Sequence, residues 1–354
     1  MFRKKSSKMN PTHPPVNEII PWIKNSHLIK QFFMNNKNNH NQIGRKMKVG
    51  IIGAGGVGSA SLMALIMRNC AREIILIDKD QKRAKGVVTD LQYGTTTTSM
   101  VTLRTGDYAD LAGAALVMVT AGINEKTGGA TDRSNPAGRL KLLSTNATIY
   151  QDIIPQLIAA APDAVILVVT DPPDPLAQLT LQLAGHEKVL STGTFLDSMR
   201  FRWHLANYFQ ISPSSVEANV IGEHGTTEVF LWSSATICGI PLRDLGFDES
   251  MCEKMEHEIR YANITIIEGI NASQYGIGMI CARIAEIILR DEQAVIPIGS
   301  YNSRYGTTLS LPSIVGKNGI VKILEPTITP AEQDALQRSA EALKKAFAQI
   351  SIVK

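Results

Sequence analysis

Three side chains in the middle of the chain have the types and spacing for proton chemistry on a small anion. The stretch "GTFLDSMRFRWHLA" carries Asp197 and Arg200 three residues apart, on one face where a helix begins. The stretch "VIGEHGTTEVFLW" puts His224 in a turn between Gly222 and Gly225, just after a strand-like run. A guanidinium binds a planar carboxylate through two parallel hydrogen bonds. An imidazole exchanges a proton near neutral pH, and a buried carboxylate behind it fixes the tautomer and stabilises the charged ring. Taken singly, these residues read as a solvent-bonded turn histidine and a helix ion pair. Their combination with a nucleotide motif changes that balance.

That motif is "GIIGAGGVGSA", with Gly53-x-Gly55-x-x-Gly58 following a strand and opening a helix. The first glycine permits the tight turn, the second lets backbone approach a pyrophosphate, and the third lets helix and strand pack closely. The amides at the helix start then face the anion. Twenty residues after Gly58, the second strand ends in Asp78. An acid there accepts hydrogen bonds from ribose hydroxyls and repels a 2′-phosphate, so NAD is expected over NADP.

The elements that must position these groups alternate. Strand-like runs "MKVGIIG", "EIILID", "MVTLRTG", "AALVMVT", "AVILVVT" and "KVLST" are separated by helical patterns at about 57–69, 80–92, 139–160 and 175–185. Alternation of this kind implies crossover units and a parallel sheet covered on both faces. The expected class is α/β: a Rossmann doubly wound parallel sheet over 47–193, which binds the dinucleotide, then a C-terminal α+β substrate domain over 194–354. In that second part, helices at about 196–209, 250–268 and 272–290 mix with strand-like "VEANVIG", "AVIPIGS" and "TTLSLPSIVG". A last helix is marked by Thr329-Pro330-Ala331-Glu332, an N-cap, a first-turn proline and a capping-box glutamate.

The chain has 354 residues, 44% hydrophobic and 19% charged, with net charge +4. Much of the excess sits in residues 1–46, which hold nine Lys or Arg against one acid, Glu18. That segment reads as a disordered or loosely packed extension upstream of Met47. A mitochondrial presequence is the alternative, against which stands the lack of an Arg-rich amphipathic helix. The rest is nearly neutral and holds no membrane-length apolar run, so neither nucleic acid nor membrane is expected as a partner. Cys70, Cys238, Cys252 and Cys281 are far apart and form no CxxC, which suggests neither a zinc site nor a disulfide framework and fits a cytoplasmic setting. No metal site is expected. One connection stands out: "GINEKTGGATDRSNPAGR", residues 122–139, is long for a loop and carries Arg133 and Arg139 six residues apart.

Over about residues 48–352 the chain resembles the L-lactate/L-malate dehydrogenase family, which includes the L-2-hydroxyisocaproate dehydrogenases. The matching stretches, in family order, are "GAGGVGSA", "LIDKD", "DLQYG", "GRLKLLSTN", "GTFLDSMRFR" and "GEHG". The resemblance implies an NAD-dependent enzyme that interconverts a 2-oxo acid and an L-2-hydroxy acid. It implies that His224 is the proton donor and acceptor, Asp197 its partner and Arg200 the carboxylate anchor. Arg139 matches the arginine on a closing loop that polarises the reacting carbonyl, and Ser273 falls where a threonine often faces the substrate side chain. Val57, Thr120, Ala121, Gly122 and Asn146 match cofactor-side positions, Asn146 near the nicotinamide ribose. A homo-oligomer, tetramer or dimer, is implied as well. Glu223 points to the lactate rather than the malate branch, which usually has glycine there.

Two departures carry weight. The family's Asn-Pro after the fifth strand-like run is Asp171-Pro172 here, and an ionised aspartate cannot donate to a substrate oxygen as asparagine does. Either Asp171 keeps a proton, or it points elsewhere, or the activity is changed. The connection over 122–139 also exceeds the family's usual length by about eight residues, so either Glu125 or Arg133 falls where the family's malate enzymes carry a specificity arginine, six residues before the catalytic one. With Arg133 there, a malate dehydrogenase is the rival reading. A non-catalytic dinucleotide-binding protein is the rival of another class, and a metal-dependent NAD glycosidase is disfavoured by "LDSMRFR" with "GEHG".

Overall fold

The structure, a computed structural model, describes residues 47–98, 101–128, 131 and 138–350, the side chains of 138 and 139 excepted. The expected extension over 1–46 and Arg133 lie outside the described residues.

The first half folds as the alternation requires. Strands β1 (Lys48–Ile52), β2 (Glu73–Ile77), β3 (Thr102–Thr105), β4 (Leu116–Val119), β5 (Val165–Val168) and β6 (Val189–Ser191) are all parallel. Helices α1 (Gly56–Arg68), α2 (Gln81–Gly94), α3 (Leu143–Ala160) and α4 (Pro173–Ala184) cross between them. The strand order β3-β2-β1-β4-β5-β6 is the doubly wound one, reversing direction between β1 and β4. Ligands bind at the carboxyl ends of strands beside such a reversal. Successive strand residues bury on opposite faces. Ile51 and Met118 join a core with Leu62, Leu65 and Ile284, whereas Ile52, Val117 and Val119 join another with Ile153, Leu157 and Leu179. Each large apolar side chain fully buried this way contributes about 1.5–3 kcal/mol.

The second half begins with α5 (Phe195–Phe209) and short strands β7 (Val216–Glu217), β8 (Val220–Ile221), β9 (Val229–Phe230), β10 (Thr236–Ile237) and β11 (Ile240–Pro241). It continues through α6 (Met251–Arg260), α7 (Ala262–Ile270), α8 (Tyr275–Arg290), β12 (Ala294–Asn302), β13 (Thr307–Gly316), β14 (Gly319–Ile323) and α9 (Pro330–Phe347). "VEANVIG" is two short strands in different sheets: β7 pairs with β10 and β8 with β9. The helix expected over 250–268 is broken at Tyr261 (φ −106°, ψ 11°). The break lets Met255 and Ile259 pack with Phe201 and Leu205 of α5, while Asn263, Ile264 and Ile267 turn inward on α7. The capping box of α9 forms as the sequence indicates: Glu332 N donates to Thr329 Oγ1 at 3.3 Å and Thr329 N to Glu332 Oε2 at 2.8 Å.

The two halves share one sheet. β12 lies antiparallel to β6 and is followed by β13 and β14, giving nine strands in all. The contact is close: a Cβ on Gly299 of β12 would sit 1.8 Å from Ser191 Oγ of β6. An edge strand left bare exposes unpaired backbone groups, and β12 covers β6. Helix α8 returns to pack on α1. That return brings Ser273, at its approach, beside the glycine turn.

Candidate active site

The glycine turn is built as a cradle. Gly53 has φ +113°, and a Cβ there would lie 2.6 Å from Ala121 N. A Cβ on Gly58 would lie 1.9 Å from the Gly53 carbonyl oxygen. Gly55, the N-cap of α1, faces open space, so the helix amides stay accessible. Thr120 Oγ1 donates to the Gly53 carbonyl at 2.9 Å, which ties the end of β4 to the turn. A cavity of about 670 Å³ runs beside it, lined by Gly53, Gly55, Asp78, Ala121 and Gly122 among others. A second, of about 250 Å³, shares Gly55, Thr120 and Gly122 and reaches Val57, Asp171 and Ser273. Two adjoining cavities across a helix N-terminus fit the two halves of a dinucleotide. Asp78 Oδ2 accepts from Ala54 N at 2.6 Å and Oδ1 from Asp80 N at 2.8 Å. The carboxylate thus braces the turn, and with about four acceptor sites it retains capacity for a ribose hydroxyl.

The second cavity adjoins a small one of about 50 Å³, whose wall includes Val57, Asp171, Arg200, His224 and Ser273. Asp197 sits in the first turn of α5, 2% exposed, where the helix dipole favours its charge. Its Oδ2 lies 2.5 Å from His224 Nδ1, and Arg200 Nη1 donates to its Oδ1 at 3.0 Å. A carboxylate only accepts, so Nδ1 carries the hydrogen and Nε2 is turned to the cavity. On that side Asp171 Oδ1 lies 3.9 Å from Nε2. Asp171 therefore does not point elsewhere, one of the alternatives open from sequence.

Asn146 stands directly behind the cofactor-side cavity, whose lining includes Ile123 and Asp171. It is fully buried: its Oδ1 accepts from Ile123 N at 2.8 Å and its Nδ2 donates to the Asp171 carbonyl at 2.7 Å. It staples the start of the long loop to the Asp171 backbone. Arg139 lies on a 3-10 turn, Gly138–Leu142, from which α3 continues at Leu143.

Two residues that the sequence did not single out help build the site. Asp174, 1% exposed on α4, accepts from the His224 backbone N at 2.8 Å and from Ser191 Oγ at 2.5 Å. Burial pushes its carboxyl up to about 6, and these two hydrogen bonds oppose that rise. Asn263 of α7 donates to Glu125 Oε1 at 2.9 Å, and both line the small cavity. A lone amide in the apolar run "ANITIIEGI" and a second aspartate in "DPPDP" were the available signals.

Both halves of the chain are similar to known proteins. Residues 47–191 match the lactate/malate dehydrogenase NAD binding domain, and residues 194–352 the alpha/beta C-terminal domain of the same group. An L-lactate dehydrogenase of Thermus aquaticus is 40% identical over 314 residues, covering 85% of this chain and 98% of that protein. One from Deinococcus radiodurans is 39% identical over 304 residues, covering 84% and 97%. The crystal structure of a minor L-lactate dehydrogenase from Enterococcus mundtii, in a ligand-bound form, superposes with TM-score 0.80 at 34% identity, covering 86% of this chain and 99% of that one. With both halves matched, and the glycine turn and the histidine–aspartate–arginine chain meeting at one cleft, the chain belongs to the lactate/malate dehydrogenase family, as an NAD-dependent dehydrogenase.

Proposed function

We propose that this enzyme interconverts a monocarboxylic 2-oxo acid of the pyruvate type with its L-2-hydroxy acid. The observation that carries the reading is the chain His224–Asp197–Arg200 with His224 Nε2 and Arg200 on one cavity wall. NADH, when bound, supplies the hydride. Arg200 then pairs with the substrate carboxylate, which fixes the 2-carbon over the nicotinamide side of the cleft. His224, held by Asp197, delivers a proton to the oxygen as charge develops there and takes it back in oxidation. Arg139 is assigned to the same oxygen, brought by the loop that precedes α3. Ser273 and Val57 face the substrate, and Val57, Thr120, Ala121, Gly122, Asp78 and the three glycines face NAD.

Glu125 favours this over the malate reading. It is buried in the wall of the small cavity, and its carboxylate disfavours a second substrate carboxylate. On this reading Arg133 takes no part in binding the substrate. An NADH panel with pyruvate, oxaloacetate, phenylpyruvate and 4-methyl-2-oxopentanoate tests the assignment. An oxaloacetate preference of about tenfold or more, lost in Arg133→Gln, would establish the malate reading, and silence on every acid the non-catalytic one.

A homo-oligomer belongs to the same proposal, a dimer or a tetramer. Met63 and Met67 of α1 and Tyr275 and Met279 of α8 line one cavity on the outer face and are 55%, 68%, 65% and 65% exposed. An apolar patch of that kind is usually covered by a partner, and a second copy suits it. The cytoplasmic assignment is supported by four free cysteines, of which Cys70 and Cys281 are buried.

A further inference from the structure

The turn that carries His224 is the loop of the β8–β9 hairpin, and glycines flank Glu223-His224 on both sides. Glycine lets such a turn take many conformations. A proton donor must instead be held within about 0.5 Å of its productive place. Three consecutive amides show how this is done. Gly222 N donates to the Ser310 carbonyl of β13 at 2.9 Å, and His224 N donates to Asp174 of α4 at 2.8 Å. Between them, Glu223 N donates to Ser339 Oγ of α9 at 2.8 Å, across 116 residues of sequence. Ser339 is fully buried. A hydroxyl both donates and accepts, and Ser339 Oγ also lies 3.2 Å from Thr227 Oγ1. Thr227 bonds back to the Glu223 carboxylate, through Oγ1 and through N at 3.1 Å. A ring thus closes across the turn. Gly222 is fitted to the same contact: its φ is +84°, and a Cβ there would lie 2.7 Å from Ser339 Oγ. Ser339 interrupts an apolar face, since Leu336, Ala340 and Leu343 of α9 pack with Ile221 and Val229 of the hairpin. A hydroxyl in such a face is costly unless it is hydrogen-bonded, and the bonds of this one go to the His224 turn.

We propose that Ser339 is a positioning residue for His224, so that α9, the last helix, takes part in placing the proton donor. The proposal rests on the reading of His224 as proton donor given above. Ser339 lines neither the small cavity nor the two cofactor cavities, so its action is on where His224 stands. Without the hydroxyl, Glu223 N loses its acceptor, the ring opens, and the turn shifts relative to Asp197. Arg200 lies on α5 and is not held by this ring. Carboxylate binding is therefore kept while proton transfer slows.

The test is Ser339→Ala, with Thr329→Ala as its control. The control removes the capping box of α9 and weakens the helix without touching the turn. With NADH and pyruvate, Ser339→Ala should lower kcat by about 10- to 100-fold, as a displacement of about 1 Å can do. KM for pyruvate should stay within about twofold of the parent. Thr329→Ala should lower Tm and leave kcat within about twofold. If Ser339→Ala does not fold, Thr227→Val opens the same ring from the turn side, and should lower kcat about fivefold or more at unchanged KM. A second readout needs no turnover. The hydrogen between His224 Nδ1 and Asp197 Oδ2, 2.5 Å apart, gives a proton resonance far downfield. It should move upfield in Ser339→Ala and stay in place in Thr329→Ala. A kcat within about twofold of the parent in whichever ring variant folds, or a fall of equal size in Thr329→Ala, overturns the proposal and leaves the 2-oxo acid reading standing. If the parent reduces no 2-oxo acid, that reading falls, and the resonance decides alone: unmoved in the ring variant, it overturns the hold on His224 as well.

Discussion

Asp197 ties two functions to one carboxylate, since one oxygen takes His224 Nδ1 and the other takes Arg200. Asp197→Asn should therefore do more than alter a proton path. The amide can present its NH2 to Nδ1 and select the wrong tautomer, and it weakens the hold on Arg200. We expect kcat to fall by about 10²–10⁴-fold, with KM for the acid rising in parallel. A variant with unchanged KM would show that Arg200 is held by other contacts. Asp174 makes a different kind of prediction. Its carboxyl is raised by burial from 3.8 to about 6, so the folded chain binds this proton more tightly than the unfolded chain. The stabilising contribution is complete below about pH 4 and is lost as pH rises through about 6, worth about 3 kcal/mol. Asp174→Asn, whose oxygen can still accept from the His224 backbone, should remove that component. Urea unfolding at pH 4 and pH 7 measures it: parallel pH dependences for parent and variant would reject the assignment. Asp197, Arg200 and His224 were legible because their spacing has chemical meaning. Asp174 was not, because its role is to hold a backbone amide of a distant turn, which only the folded chain brings near.

Among the elements, the glycine turn and the end of β2 act as one unit through the bond from Ala54 N to Asp78. Asp78→Ser should erode a preference for NADH over NADPH of about 1–3 kcal/mol, because the carboxylate that repels a 2′-phosphate is gone. It should also weaken NADH binding itself, since a shorter side chain braces the turn less well. Equal kcat/KM for the two cofactors in the parent would contradict the first part, and unchanged NADH affinity in the variant the second. Elements were most legible where local chemistry marks them. The parallel strands are runs of β-branched residues, and α9 carries its own capping box. The break between α6 and α7 has no proline or glycine to announce it, and follows from which apolar residues must face α5. Likewise "VEANVIG" reads as a single strand, and tertiary pairing divides it between two sheets. Asn146 was placed near the cofactor by its family position. Its bonds to Ile123 and Asp171 join segments far apart in sequence, which only the folded chain shows.

For the whole molecule, the proposed oligomer would be held by the apolar face of α1 and α8. Met67→Lys with Met279→Glu would place charges in a contact that a second copy must dehydrate, at a cost of several kcal/mol. Sedimentation velocity should find the parent as a dimer or larger and the double variant as a monomer. A parent that sediments as a monomer at micromolar concentration would show that this face has another role. The division expected at residue 193 rests on a change of sequence pattern, from alternating crossover units to mixed elements.

The pairing of β12 with β6 has a mechanical meaning. The NAD-side strands and the substrate-side strands are sewn into a single fabric, with Gly299 pressed onto Ser191 at the seam. Two lobes joined in this way cannot swing about a hinge as separately folded halves do. The distance from the glycine turn to His224 is then a rigid dimension of the protein. The reacting geometry is set before a substrate enters.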